Sequence, residues 1–148
     1  MNKDIKIDVG GVSITLTKEQ LDYIDVQKRR SRPIMERINT FDDIIAESGK
    51  PASYFTDSNL SKDEIGYRKV KAICFVLNEG WIADFKNKNQ KKWYPYFDAS
   101  SSFGFSGTGF VYWFTSTGGG SRLCSLKNEE LAKFVGTKFI KEYKEWLG

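Results

Sequence analysis

Between Leu77 and Phe114 the spacing of apolar residues changes, and that change limits what this chain can fold into. Up to Gly80 the apolar residues recur at helical intervals. From Trp93 onward they come as runs of rings and β-branched residues separated by Ser/Gly-rich turns, the pattern of strands. A chain that holds both patterns one after the other is expected to be α+β, with an antiparallel, ring-rich sheet and helices packed mainly on one face. Three of the four tryptophans fall in this stretch, together with Lys86, Lys88, Lys91 and Lys92.

The helix before the switch is the best delimited. Ser61-Lys62-Asp63-Glu64 reads as a capping box, and Ile65, Val70, Ile73, Cys74, Val76 and Leu77 follow. Residues 72–77 are apolar on most sides, which predicts a central, buried helix. Gly80 is its natural stop. After it, residues 92–97, 103–105, 109–115 and 122–126 predict an aromatic-rich β-meander. Its turns are expected at residues 99–102, 106–109 and 116–121. A closing helix over residues 128–147 carries Leu131, Phe134, Val135, Phe139, Tyr143 and Trp146 as its buried stripe. Glu129 with Lys133, Lys138 with Glu142, and Lys141 with Glu145 are spaced for pairing on its wet side.

The first sixty residues predict a β-hairpin and two helices, about four helices in all. Ile5, Ile7 and Val9 alternate with polar residues, as do Val12, Ile14 and Leu16. Gly10-Gly11 between them suits a two-residue turn. The resulting register pairs Val9 with Val12, Ile7 with Ile14 and Ile5 with Leu16, all on one face. A two-stranded ribbon is marginal alone, so it is expected to pack on something, and it is available to extend the sheet. Thr17 to Gln20 then reads as a capping box for a helix ending near Arg30, because Pro33 disfavours helix at Arg32. Thr40-Phe41-Asp42-Asp43 opens a short helix to about Glu47, with Ile38, Phe41, Ile44 and Ile45 inward. Residues 49–60 read as a surface loop with two exposed rings, Tyr54 and Phe55. The length, 148 residues, suits one domain spanning residues 1–148. Within it, residues 1–60 form an N-terminal part and residues 61–148 the main body.

Composition excludes more than it assigns. There is no histidine, which removes Ser-His-Asp and Cys-His nucleophile systems, histidine-ligated zinc and histidine acid–base work. The two cysteines, Cys74 and Cys124, have neither disulfide-framework nor zinc-site spacing. Cys74 lies in an apolar run and reads as a buried thiol. No metal or cofactor is expected. The N-terminal alternation with Asp4 and Asp8 argues against a signal peptide, and no apolar run approaches the length of a membrane helix. A cytoplasmic protein without a membrane partner is expected. The net charge of +4 permits a polyanionic partner without requiring one.

Several constellations invite chemistry. Gly118-Gly119-Gly120-Ser121-Arg122 looks like a phosphate loop, but it leads into a strand-like run and lacks the Gly-Lys-Ser/Thr that a phosphate loop needs, so it reads as a hairpin loop. Glu79, Asp84 and Asp98 are carboxylates near the ring-rich stretch; no spacing fixes any two of them together for acid–base work. Lysines interleaved with rings are the combination that binds single-stranded nucleic acid. Lys86, Lys88, Lys91 and Lys92 would line a groove, all of them at least partly exposed. Trp93, Tyr94, Tyr96 and Phe97 would supply platforms, with Tyr112 and Trp113 of the next ring-rich strand and Arg122 beside them. The bland alternative is that the rings fill the core while the lysines solubilise a loop. A second basic run, Lys28, Arg29, Arg30 and Arg32, reads either as a solvated helix end or as a phosphate-contacting patch.

Asn78-Glu79-Gly80-Trp81, Asp84, Asn87, Asn89-Gln90, Lys92-Trp93-Tyr94-Pro95-Tyr96-Phe97, Gly120-Ser121-Arg122-Leu123-Cys124 and Glu130-Leu131-Ala132 through Gly136, Phe139 and Tyr143 resemble a family of small phage and prophage proteins of gut bacteria. The similarity covers roughly residues 61–147. It implies a phage-borne accessory protein, in the host cytoplasm or in the virion, and no activity, cofactor or catalytic residue.

Together these readings lead to an expected non-enzymatic binder of single-stranded DNA or RNA. The alternatives are a protein-interaction protein, either an inhibitor of a host defence complex or a self-assembling virion component, and a carboxylate-based enzyme.

Overall fold

The computed structural model of the chain describes residues 5–100, 102–112 and 123–148. The chain divides into two compact units, Met1–Arg37 and Ile38–Gly148.

The first unit begins with β1 (Ile5–Val9) and β2 (Val12–Leu16). They pair antiparallel in the register expected from the alternation, Val9 with Val12, Ile7 with Ile14 and Ile5 with Leu16. Gly10 and Gly11 sit at φ 60° and 83°, the left-handed values that a two-residue hairpin turn demands and that a side chain would resist. Helix α1 (Lys18–Arg30) follows. Its capping box is formed: the Gln20 N–H donates to Thr17 Oγ1 at 3.3 Å, and the Thr17 N–H donates to Gln20 Oε1 at 3.0 Å. A short helix α2 (Ile34–Arg37) ends the unit.

The second unit is organised around α4 (Lys62–Asn78). Val70, Ile73, Cys74 and Leu77 on this helix have no exposed surface. Burying side chains of this size is worth roughly 1.5–3 kcal/mol each. At the N-terminus of α4, Glu64 accepts from the Ser61 N–H (2.8 Å) and the Ser61 hydroxyl (2.7 Å). Those two bonds, the backbone one foremost, hold the Glu64 carboxyl below its ordinary pKa. Helix α3 (Phe41–Ser48) packs on α4. Its first turn is closed by Asp43, which accepts from the N–H groups of Asn39 (2.8 Å) and Thr40 (2.9 Å). A 3-10 turn, Ala52–Phe55, lies beyond it. Phe55 is buried with its ring edge-on to Phe41 at 5.1 Å, so of the two rings expected on the surface one belongs to the core.

Strands β3 (Lys92–Asp98) and β4 (Gly104–Val111) form an antiparallel hairpin covered by helix α5 (Glu129–Lys138). Helix α6 (Ile140–Leu147) packs on α4. Both contacts depend on glycine: a side chain at Gly136 would overlap Phe105, and one at Gly66 would strike the backbone of Glu145 and Trp146. Lys69 of α4 and Glu145 of α6 pair at 2.5 Å across their interface.

The α+β class and the N-terminal hairpin are as expected, but four details differ. No turn interrupts residues 106–109; β4 runs straight through them, and Ser106 is the extra residue of a bulge between the Tyr96–Gly107 and Phe97–Phe105 pairs. The first hairpin does not extend the second, and the two are separate sheets. The closing helix breaks at Phe139, two residues after Thr137, whose hydroxyl donates back to the Lys133 carbonyl at 2.8 Å, a contact that bends helices. Glu145 pairs with Lys69 of the neighbouring α4 rather than with Lys141 of its own helix, while Lys133 and Glu129 pair as expected at 3.0 Å. Of the fourth expected strand, the described part contributes a single bridge, Leu126 to Trp93. The expected turn at 116–121, the Gly118–Arg122 loop, Trp113 and Arg122 lie outside the described residues. Among the described residues no helix is long and apolar enough to cross a membrane.

Candidate nucleic-acid interface

The loop between α4 and β3 carries the lysines, and its own side chains brace it. Asn78 is buried and spans two strands of chain, donating to the Ser125 carbonyl (2.8 Å) and accepting from the Lys127 N–H (3.0 Å). Glu79 takes a left-handed conformation (φ 47°) to end α4, and its carboxylate pairs with Lys127 at 3.3 Å. The Gln90 side chain then closes the loop, accepting from the Asp84 N–H (2.6 Å) and donating to the Ile82 carbonyl (3.0 Å). The Asp84 carboxylate accepts from the Lys86 N–H (2.9 Å), and Asn87 accepts from the Asn89 N–H (2.9 Å). Most of the polar residues in the Asn-Glu-Gly-Trp to Asn-Gln segment are therefore structural, and they hold Lys86, Lys88 and Lys91 outward.

Lys92 departs from the expectation that all four lysines are exposed. It is fully buried. Its ammonium donates to the Asn87 carbonyl at 2.9 Å and the Tyr112 carbonyl at 2.5 Å, tying the loop to the end of β4. Desolvation lowers its pKa from the ordinary lysine value. A lysine placed this way is a strut and cannot reach a ligand.

The remaining predicted residues divide between the two faces of the β3–β4 hairpin, because side chains alternate along a strand. Trp93 lies opposite Phe110, with ring centroids 4.7 Å apart. Tyr112 meets Phe110 edge-on at 5.3 Å. Lys91 arches over all three rings, its ammonium 4.5 Å from the Phe110 centroid, 5.8 Å from Tyr112 and 5.9 Å from Trp93. Phe110 and Tyr112 are each 41% exposed. Tyr94 and Tyr96 belong to the opposite face. The Tyr94 hydroxyl bonds to the Ser125 side chain, and burial pushes its pKa up to about 12. Tyr96 is exposed and lies across Gly109, where a side chain would collide with its ring. The structure thus gathers Lys91, Trp93 and Tyr112, adds Phe110, and separates Lys92, Tyr94 and Tyr96 from them. Phe110 falls in an expected strand, but no local pattern shows that it pairs with Trp93, so its place in the site comes only from the β3–β4 register.

Lys86, Lys88 and Lys91 are exposed, and among the described residues none of them is in an ion pair. Glu129 is the nearest opposing influence; its carboxyl is held below the usual range mainly by Lys133, and Lys91 contributes. Of the second basic run, Lys28, Arg30 and Arg32 are exposed and Arg29 is half-buried at the C-terminal turn of α1.

The three carboxylates considered for acid–base work are engaged in local structure. Glu79 and Asp84 serve as described above. Asp98 accepts from the Ser100 hydroxyl (2.6 Å) and N–H (2.8 Å), which together lower its pKa, hydroxyl first. A general acid would need the opposite shift. Cys74 and Cys124, far apart in sequence, are buried beside each other as free thiols. The bond to Cys74 and burial both push the Cys124 thiol up, which makes it inert. Among the described residues no cluster of side chains is arranged to hold a metal ion. Compared with family models, curated proteins and solved structures, the chain matches none.

Proposed function

We propose that this is a non-enzymatic, phage-encoded accessory protein that binds single-stranded nucleic acid on the Lys91–Trp93–Phe110–Tyr112 face. The observation that carries the reading is one lysine within 6 Å of three ring centroids, two of those rings being 41% exposed. Rings offer stacking faces to any base, and cations at their edge take the phosphates. On binding, a base stacks where the Lys91 ammonium rests in the free protein, and the ammonium moves to the adjoining phosphate. Lys86 and Lys88 extend the positive track along the braced loop.

The test is a tryptophan-fluorescence titration with a single-stranded oligonucleotide at several salt concentrations. Three lysine–phosphate contacts predict a log–log salt slope of about −2. Tyr112→Ala is expected to cost roughly 1–3 kcal/mol of affinity, and Lys91→Ala to flatten the slope by close to one phosphate contact. Both side chains are exposed, so both variants should stay folded. Binding that is unchanged in both, or no quenching at low salt, would sink the proposal.

A second reading, a protein-interaction protein, is favoured by a different observation. Five of the six apolar side chains on the first hairpin are exposed, from 40% at Ile7 to 62% at Val12, and Leu16 is half-buried. Contiguous apolar surface of this kind marks association sites.

A further inference from the structure

A cavity of about 510 Å³ shares no residue with the lysine and ring face. One wall is a face of α4. This is the most buried helix of the unit, yet its Phe75 is 66% exposed and stands in the cavity. Half-buried Trp81 and exposed Ile82 form another wall. Three cations, Lys50, Arg68 and Lys71, also line it, and among the described residues no carboxylate does.

The Glu64 carboxylate, one turn back on α4, feels the charge of Arg68 without closing on it. Among the described residues none of the three cations is in an ion pair. They rest on rings instead: Arg68 lies 4.5 Å and Lys50 5.5 Å from the Tyr54 centroid, and Lys71 lies 4.7 Å from that of Tyr67. Arg68 also donates to the Tyr54 carbonyl at 3.0 Å, which fixes its guanidinium and leaves its other N–H groups free to donate. Three cations around apolar walls attract an anion, and the walls select one with an apolar body. The volume lies in the range of small-molecule sites, roughly 300–1,000 Å³.

We propose that this cavity binds a small organic anion, a flat apolar body bearing one carboxylate, sulfonate or phosphate-ester group. The body lies against Phe75 and Trp81, and the anionic group takes Arg68 and Lys71. The site is separate from the nucleic-acid face, and its occupancy does not depend on that reading.

The test uses two dyes on the full chain: anilinonaphthalene sulfonate and its uncharged counterpart, phenyl-naphthylamine. The sulfonate is expected to bind saturably, one per chain, and the neutral dye about tenfold more weakly. Lys50→Gln/Lys71→Gln should weaken the sulfonate by about tenfold, the loss of the Lys71 contact together with the screened field of Lys50, and leave the neutral dye unchanged. Phe75→Ala should weaken both dyes. All three side chains are solvent-accessible, and a circular-dichroism melt confirms that the variants fold. Equal affinity for the two dyes, or sulfonate binding that is unchanged in both variants, would overturn the proposal.

Discussion

The two β-hairpins are built alike and are used differently. Each is a pair of antiparallel strands, with apolar residues alternating along β1 and β2 and rings running consecutively along β3. In β1–β2 the apolar face is exposed, Val9 by 58% and Val12 by 62%. In β3–β4 the face carrying Pro95, Phe97 and Phe105 is half-buried under α5 and α6, where Phe97 meets Tyr143 at 4.8 Å and Gly136 lets Phe105 and Pro95 close in. An apolar stripe therefore states which side of a ribbon seeks cover. It does not state what supplies the cover, because that requires a second element at the right place in space.

The largest expected effect lies in the core beside the helices that cover the second hairpin. Phe139→Ala removes a ring that is 2% exposed, where α5 hands over to α6. It should cost roughly 3–5 kcal/mol, a fall in Tm of about 10 °C. A loss below about 1 kcal/mol would mean that this ring does not hold α5 and α6, the cover of the second hairpin, in place.

The next effect sharpens the contrast between a strut and a ligand-facing lysine. Lys92→Met leaves the Asn87 and Tyr112 carbonyls without their donor. It should cost about 2 kcal/mol in urea unfolding, whereas Lys88→Met on the exposed loop should stay within about 0.5 kcal/mol. Equal effects would contradict the burial of Lys92.

The smallest effect tests the first hairpin. Val9→Thr/Val12→Thr changes exposed side chains and should shift stability by no more than about 0.5 kcal/mol. A larger loss, with a Tm that rises with protein concentration, would mean that a second copy covers this face in solution and would favour the interaction reading.

The legibility of each part follows from the range of its signal. Gly10-Gly11 and the flanking alternation determine the first register within a dozen residues. The Thr17, Thr40 and Ser61 N-termini are equally local, since a cap is complete within four residues. Phe55 was misread because its cover, Phe41, comes from another element. The candidate site was half legible. Lys91, Trp93 and Tyr112 are legible from composition, whereas Phe110 joins them only through a strand register that pairs it with Trp93 across about sixteen residues of chain. Lys92 could not be told from Lys91 in sequence: they are neighbours of the same type, and only the alternation of a strand whose opposite side is closed by Asn87 and Tyr112 sends one inward and the other out.

The sequence by itself determined the α+β class, the N-terminal register and the helix starts, along with the absence of any histidine chemistry. These depend on residue type and on spacing over a few positions. The tertiary structure alone decided which lysine is a strut and which rings share a face with Lys91. It also decided that Cys74 meets Cys124, that Glu145 pairs with Lys69, and that Phe75 is left standing in a cationic cavity. Each of these joins residues distant in sequence or turns on which neighbouring surfaces meet, and no local pattern encodes that.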